Sequence, residues 1–266
     1  MNTNRKIIIV ENAAALAQKG AEIFCSIARQ RVEKTGRFMA ALSGGSTPRP
    51  LYRLLGQPPY LAKVPWEATH LFWADERMVP WEDPDSNFGA AREDFIEKVP
   101  IPAGQVHPMP LDPAGAQGAA LYSRTLRDIF RPPGNRAPAF DLLLLGVGAD
   151  GHVASLFPDP ADTLEGPGER PDNFVAAPGS RPEPWVSGVC GGSPHTYRLT
   201  LTLPVLNRAR EILFVVSGKS KAPVLERTLN HPDARLPARQ VDPPDGQVTW
   251  LVDKDAASAL SPIAAT

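Results

Sequence analysis

Apolar and polar positions alternate along this chain with two different periods. Short continuous apolar runs are separated by stretches in which apolar residues recur at every third or fourth position. The first pattern predicts strands and the second amphipathic helices. Lys6–Val10 predicts a strand and Ala13–Glu33 a long helix. Phe38–Leu42 predicts a second strand, Pro48–Leu55 a helix and His70–Trp73 a third strand. Asn87–Lys98 predicts a helix with Ser86 as its N-cap, because a Ser hydroxyl there accepts an orphan backbone N–H. Ala114–Phe130 predicts another helix, and Asp141–Leu145 a strand apolar enough to be buried on both faces. Arg198–Leu203 alternates as a strand does; Glu211–Ser217 predicts a further strand, Lys219–Leu229 a helix and Val248–Val252 the last strand. This alternation argues for an α/β fold, a mostly parallel sheet with helices on both faces. With no internal repeat and no clear linker, residues 1–266 are expected to form one domain. The Pro- and Gly-rich segment Asp159–Pro194 is expected to be a long loop near the functional site.

The buried run ends in the turn Gly146-Val-Gly-Ala-Asp-Gly-His152. Its glycines permit a sharp turn and close approach of a ligand. Asp150 and His152 therefore fall just past the carboxyl end of a strand, the edge at which open α/β sheets bind ligands. A His at that edge suits proton transfer near neutral pH, though a hydrogen-bonded, non-catalytic His fits the same spacing. Gly146–Gly151 also fits the dinucleotide fingerprint G-x-G-x-x-G. That reading requires a long helix next and an acidic residue ending a second strand. Here Pro158 and Pro160 interrupt, and Glu165 and Glu169 lie among Gly and Pro.

Composition narrows the classes. The 28 Lys+Arg against 29 Asp+Glu leave no general basic surface for nucleic acid or anionic membrane, but do not exclude a local phosphate pocket. Cys25 and Cys190 form no C-x-x-C pair, so neither a zinc cluster nor a disulfide framework is expected, and Cys25 reads as inert core. No apolar run approaches the length of a membrane span, and the apolar stretch at the N-terminus is short for a signal peptide. The cytoplasm is the expected location.

Three further blocks carry chemistry. Leu42-Ser-Gly-Gly-Ser-Thr-Pro48 leaves a strand and opens a helix, with Thr47 as the expected N-cap and Pro48 at the first helical position. The backbone N–H groups of Gly44 and Gly45, the hydroxyls of Ser43, Ser46 and Thr47, and the helix N-terminus would cradle a phosphate without a metal. Asp75-Glu76-Arg77, with Ser86-Asn87 downstream, follows another strand. Arg77 there would pair with an anionic substrate or with developing negative charge, unless the turn is only a solvated charged surface. Arg198 and Lys221 are candidates to reach the same phosphate, with Lys219 as the competing cation. The remaining histidines, His70, His107, His195 and His231, have no partner that the sequence identifies.

Together these blocks resemble the 6-phosphogluconolactonase family. Leu42–Pro48 matches its L-S-G-G-S-T-P block, Asp75-Glu-Arg77 with Ser86-Asn87 its D-E-R…S-N block, and Leu145–Pro158 its L-G-x-G-x-D-G-H-x-A-S-L-F-P block. Arg198–Thr202 and Gly218…Lys221 match two weaker blocks, and all stand in order. The resemblance implies hydrolysis of 6-phospho-D-glucono-1,5-lactone to 6-phosphogluconate, the second step of the pentose phosphate pathway. It implies a Rossmann-like fold shared with glucosamine-6-phosphate deaminases, and neither metal nor organic cofactor. His152 would then be the general base, Asp150 its orienting partner and Arg77 the group facing substrate or oxyanion charge. Ser43–Thr47, Arg198 and Lys221 would hold the distal phosphate. The partner is then a small sugar-phosphate lactone, with oligomeric state left open and a monomer compatible. The segment between Pro158 and Arg198, including Trp185–Pro194, matches no block, and no G-x-S-x-G nucleophile elbow is present. Two rival readings are an amino-sugar-phosphate deaminase and a sugar-phosphate-binding protein without catalysis. Deaminases carry D-E-Y in place of Asp75-Glu76-Arg77 and F-N-E-P-G in place of Ala154–Pro158, and fold-sharing regulators add a helix-turn-helix for which the N-terminus has no basic helical pair.

Overall fold

The computed structural model describes residues 5–111, 117–158, 184–192 and 196–260. In chain order the main elements are β1 (Arg5–Val10), α1 (Ala13–Thr35), β2 (Phe38–Leu42), α2 (Arg49–Leu55), β3 (Thr69–Trp73), β4 (Asp75–Arg77), α3 (Asn87–Asp94) and β5 (Val106–His107). There follow α4 (Gly118–Phe130), β6 (Leu142–Leu145), β7 (Val186–Gly191), β8 (Thr196–Leu201), α5 (Leu203–Leu206), β9 (Glu211–Val216), α6 (Ala222–Asn230), α7 (Pro237–Gln240) and β10 (Gln247–Asp253).

Seven strands form one parallel sheet in the order β1-β10-β9-β6-β2-β3-β5. From β2 the chain runs outward through β3 to β5, then returns to lay β6 on the other side of β2 and runs outward again through β9 and β10. Right-handed crossovers in opposite directions put their helices on opposite faces. They also leave a crevice where the order reverses, between the carboxyl ends of β2 and β6. Those ends lead into Ser43 and Gly146. The sheet order thus joins the two glycine-rich segments, with Ala40 and Ala41 in register with Leu142 and Leu143.

Burial explains the apolar pattern. Every residue of β2 and β6 is buried, and so are all but the first residues of β9 and β10, because helices cover both faces. Each fully buried Leu of β6 contributes about 1.5–3 kcal/mol relative to exposure. Trp250 stacks on Phe214 across β10 and β9, with ring centroids 3.9 Å apart. β1, an edge strand, is only partly buried, and Ile9 is exposed. Cys25 is buried in the core as expected, and burial pushes its thiol up to about 11.

A second sheet was not expected. β4, β8 and β7 form an antiparallel sheet, with β8 in the middle. The alternating run expected at Arg198–Leu203 is β8, and it lies here and not in the parallel sheet. Ala74 is the junction: its N–H donates to Leu42 of β2 at 2.8 Å, while its carbonyl accepts from Leu201 of β8 at 2.8 Å. One residue therefore ties the small sheet to the carboxyl edge of the large one. The expected loop over Asp159–Pro194 is corrected in its last part, where Val186–Gly191 is a strand. Residues 159–183 and 193–195, His195 included, lie outside the described residues.

Several ends shift. α3 stops at Asp94, because Phe95 leaves helical geometry at φ −153° and only a 3₁₀ turn, Ile96–Lys98, continues. α6 begins after a 3₁₀ turn, Lys219–Lys221. The expected start of α4 at Ala114 lies outside the described residues. His70 and His107 do have partners: the rings stack, and Nδ1 of His70 lies 3.1 Å from Nε2 of His107. His231 pairs with Glu226 at 3.1 Å.

Candidate active site

A cleft of about 210 Å³ opens at the reversal between β2 and β6. The β2–α2 loop supplies one wall, Ser43 to Pro48. The β6 turn supplies the floor with Gly146, Gly148 and His152. The small sheet leans over it with Asp75, Arg77 and Arg198, and the turn after β9 brings Lys221. Of the ten residues given a catalytic or phosphate-binding role above, Asp150 alone does not line this cleft.

Asp150 faces His152 instead. Its Oδ1 lies 2.6 Å from the imidazole Nδ1 and accepts the His152 backbone N–H at 3.1 Å. Burial pushes the carboxyl up, but the hydrogen bond and charge of His152 outweigh it and hold Asp150 below the usual carboxylate range. An ionised Asp150 accepts the Nδ1 proton and leaves the Nε2 lone pair free. Gly148 makes room for this arrangement: a Cβ there would overlap both the imidazole and the Asp150 carboxylate. After Gly151 the chain does not begin a helix. Val153 and Leu156 form a bridge, and Ala154 is held at φ +50° against the cleft. That conformation costs a non-glycine residue about 1 kcal/mol, which the flanking hydrogen bonds must offset. The helix that a dinucleotide site needs is not at this turn.

The loop after β2 differs in detail from expectation. Pro48, not Thr47, occupies the N-cap position of α2, and no side chain caps the helix. Pro48 is already in the helical region, at φ −79° and ψ −17°, so Thr47 is displaced one residue upstream. α2 is only seven residues long, so its dipole adds little to the loop's own N–H groups and hydroxyls. The Ser43 hydroxyl is buried, lines the cleft and has no hydrogen-bond partner among the described residues. Tyr52 Oη fixes the loop from behind by donating to the Ser43 carbonyl at 2.7 Å. Gly44 lets Asn87 in, since a Cβ there would overlap the Asn87 amide.

Arg77 and Arg198 are directly opposed across β4 and β8. Arg77 Nη1 donates to the Asp85 carbonyl at 2.7 Å and to Asn87 Oδ1 at 2.9 Å. Its Nε is buried without a partner among the described residues. Arg198 Nε donates to the Gly191 carbonyl at 3.1 Å. Burial, then the charge of Arg77, lowers the Arg198 guanidinium from its ordinary value. Two guanidiniums held side by side carry a repulsion that an anion between them would relieve. Burial likewise lowers the Lys221 ammonium, with Asp150 opposing. Of the two competing cations, Lys221 lines the cleft and Lys219 does not.

Sequence reasoning passed over the residues that hold these groups. Glu76 is 1% exposed and accepts four hydrogen bonds: from the N–H groups of Arg77, Asn87 and Phe88, and from the Ser86 hydroxyl. It thereby ties β4 to the start of α3, where Ser86 caps the helix as expected by accepting from Gly89 at 3.0 Å. Burial pushes the Glu76 carboxyl up to about 7 against those backbone donors. Asn87 lines the cleft and donates to the Asp75 carbonyl at 2.8 Å. Asp75 lies in the cleft wall and accepts the Ser155 hydroxyl at 2.7 Å. Asp253, at the end of β10, accepts from Ser217, Gly218 and Ala256 and so fixes the turn that presents Lys221. The signals were the block Asp75-Glu76-Arg77 with Ser86-Asn87 and, for Asp253, a carboxylate at a strand's carboxyl end.

A family model described as glucosamine-6-phosphate isomerases/6-phosphogluconolactonase matches residues 11–250. The chain belongs to that family. A 6-phosphogluconolactonase of Synechocystis is 37% identical over 262 residues, covering 97% of this chain and 99% of the relative. One from Nostoc is 34% identical over 260 residues, with the same coverage. Among solved structures, a 6-phosphogluconolactonase of Thermotoga maritima superposes with a TM-score of 0.75 at 28% identity, over 94% of this chain and all of that one. One from Trypanosoma brucei gives 0.78 at 26% identity, over 97% and 99%. A monomeric glucosamine-6-phosphate deaminase gives 0.74 at 19% identity, over 96% and 99%, a likeness of fold alone. The isomerase/lactonase family therefore includes this chain over nearly its whole length, and the expected kinship with the deaminase fold holds. No helix of the described residues is long and apolar enough to cross a membrane.

Proposed function

We propose that this chain hydrolyses 6-phospho-D-glucono-1,5-lactone to 6-phospho-D-gluconate through His152, Asp150 and the cations around the cleft. One observation carries the reading. The Asp150–His152 pair, 2.6 Å apart, presents a free Nε2 to a cleft whose walls carry Arg77, Arg198 and Lys221.

A lactone carbonyl needs an activated water and a place for negative charge. His152 Nε2 takes the proton from water as the oxygen bonds to C1. Asp150, ionised, stabilises the imidazolium that forms. Arg77 faces the oxyanion of the tetrahedral intermediate. When that intermediate collapses, the C1–ring-oxygen bond breaks and the imidazolium returns its proton to the ring oxygen. The new carboxylic acid then ionises to solvent. Ser43, Gly44, Gly45, Ser46 and Thr47, with Arg198 and Lys221, hold the distal phosphate, and that binding energy positions C1. We assign the cytoplasm as the location, while noting that a rice relative at 36% identity is named chloroplastic. The test is lactone hydrolysis measured by acid release above the spontaneous rate, with glucosamine 6-phosphate as the alternative substrate. Ammonia released from the amino sugar, with no gain on the lactone, would overturn the reading.

A further inference from the structure

We propose that Phe157 is a positioning residue that fixes His152 and Arg198 at a set separation, and so matches the cleft to a substrate of one length. Its ring centroid lies 5.0 Å from that of the His152 imidazole, tilted by 50°. The Arg198 guanidinium carbon sits 5.7 Å from the same ring, within cation–π range. The ring is 8% exposed. A third neighbour is Gly191, where a Cβ would come within 2.7 Å of the Phe157 edge. The Gly191 carbonyl in turn accepts Arg198 Nε at 3.1 Å. One flat side chain therefore touches the base, the cation and the strand that anchors the cation.

The geometry leaves each partner one freedom that Phe157 removes. Asp150 holds His152 at Nδ1 but does not by itself stop the imidazole tilting about that hydrogen bond. Gly148 backs one part of the ring and Phe157 packs on another. Among the described residues Arg198 donates a side-chain hydrogen bond at Nε alone; the guanidinium plane packs on Phe157 and beside Gly192. Phe157 contacts two groups that would both carry positive charge when His152 is protonated. The ring thus serves as a spacer between the reacting end and the phosphate end of the cleft. This inference rests on the lactonase reading for its choice of substrates.

Phe157→Leu keeps an apolar side chain while removing the flat ring. Three measurements decide. Thermal melting and folded fraction establish the active concentration. Initial rates are then compared on 6-phosphogluconolactone and on plain gluconolactone. The expected result is a kcat lower by on the order of tenfold on both substrates and a KM raised by on the order of tenfold on the phosphorylated one alone, because sub-ångström misplacement has that scale of effect. The preference for the phosphorylated lactone then narrows. Finally, the His152 Nδ1–H resonance of the ligand-free protein is followed by NMR, and its exchange with water should quicken by on the order of tenfold. If KM and the preference are unchanged once active concentration is corrected, Phe157 is plain core packing and the proposal fails. If the wild-type protein hydrolyses neither lactone, the functional reading fails instead. The Nδ1–H exchange then decides Phe157 by itself, and an unchanged rate overturns it.

Discussion

His152 is the residue on which the chemistry turns. Replacing it with Ala should lower kcat by about 10²–10⁴ with the fold retained, as for the loss of a general base. Circular dichroism and rate measurements on one preparation check both parts. Arg198→Ala and Lys221→Ala should each cost roughly 1.5–3 kcal/mol in kcat/KM on the phosphorylated lactone, the scale of hydrogen bonds to charged groups, and much less on plain gluconolactone. Equal losses on both would make these side chains structural. At this scale the motif residues were legible, because glycines, hydroxyls and cations past strand ends announce themselves. The pairing of Asp150 with His152 was expected from the family resemblance and not from the spacing, since two residues apart in a glycine turn fits several geometries. Lys221 and Lys219 were inseparable for the same reason: a 3₁₀ turn, not a regular helix, decides which one faces inward. Asn87 was visible only as part of a motif, and its contacts with Arg77 and Asp75 come from tertiary packing.

The elements explain why the site is rigid. Asp94, 3% exposed on α3, accepts a two-pronged pair of hydrogen bonds from Arg49 at 2.7 and 3.0 Å and a third from Arg53 at 2.9 Å. It thereby ties α3 to α2, the helix that follows the Ser43–Pro48 loop. Asp94→Ala should lower stability by about 1–3 kcal/mol in urea unfolding, the cost of stranding its partners. It should also raise KM for the phosphorylated lactone more than it lowers kcat. A KM that does not move would separate the clamp from the phosphate loop. The strands of the large sheet were readable because burial on both faces leaves continuous apolar runs. The small sheet was not. β4 is three charged residues, Asp75-Glu76-Arg77, stabilised by Glu76 and β8 and not by any intrinsic preference. β7 contains Gly188 and Gly191 and follows a Pro-rich segment, so its composition reads as loop although β8 pairs with it throughout. The ends of α2 and α3 moved because Pro48 and Phe95 adopt backbone angles that no propensity fixes.

For the molecule as a whole, the alternation of strands and helices predicted a parallel sheet, but not its order. The order matters most, because the reversal between β2 and β6 is what brings Ser43 and His152 together. Buried Glu76 and half-buried His107 also set an opposed pH dependence of stability. Glu76 is pushed up to about 7, chiefly by burial, so the stability it contributes is full below its unfolded value near 4.5 and is lost as pH rises through 7. Burial lowers His107 to about 4, so its contribution is full above about 6.5 and is lost as pH falls toward 4. Between roughly pH 4.5 and 6.5 the two slopes offset each other. Glu76→Gln should therefore unmask a stability that rises with pH in that window, and His107→Asn one that falls. Each slope should be a fraction of about 1.4 kcal/mol per pH unit, since His107 is partly exposed. Identical slopes in both variants and wild type would contradict the assignment. Activity should also survive chelation and dialysis: among the described residues no three His, Cys, Asp or Glu side chains gather to hold a metal ion. Loss in EDTA that returns with added metal would show a site that these residues do not form.

The most direct measurement is the rate of acid release from freshly generated 6-phosphogluconolactone in a pH-stat, for wild type, His152→Ala and buffer alone. The account predicts wild-type hydrolysis far above the spontaneous rate, with His152→Ala close to buffer. Hydrolysis by the wild-type protein no faster than buffer, or a His152→Ala protein as active as wild type, would contradict it.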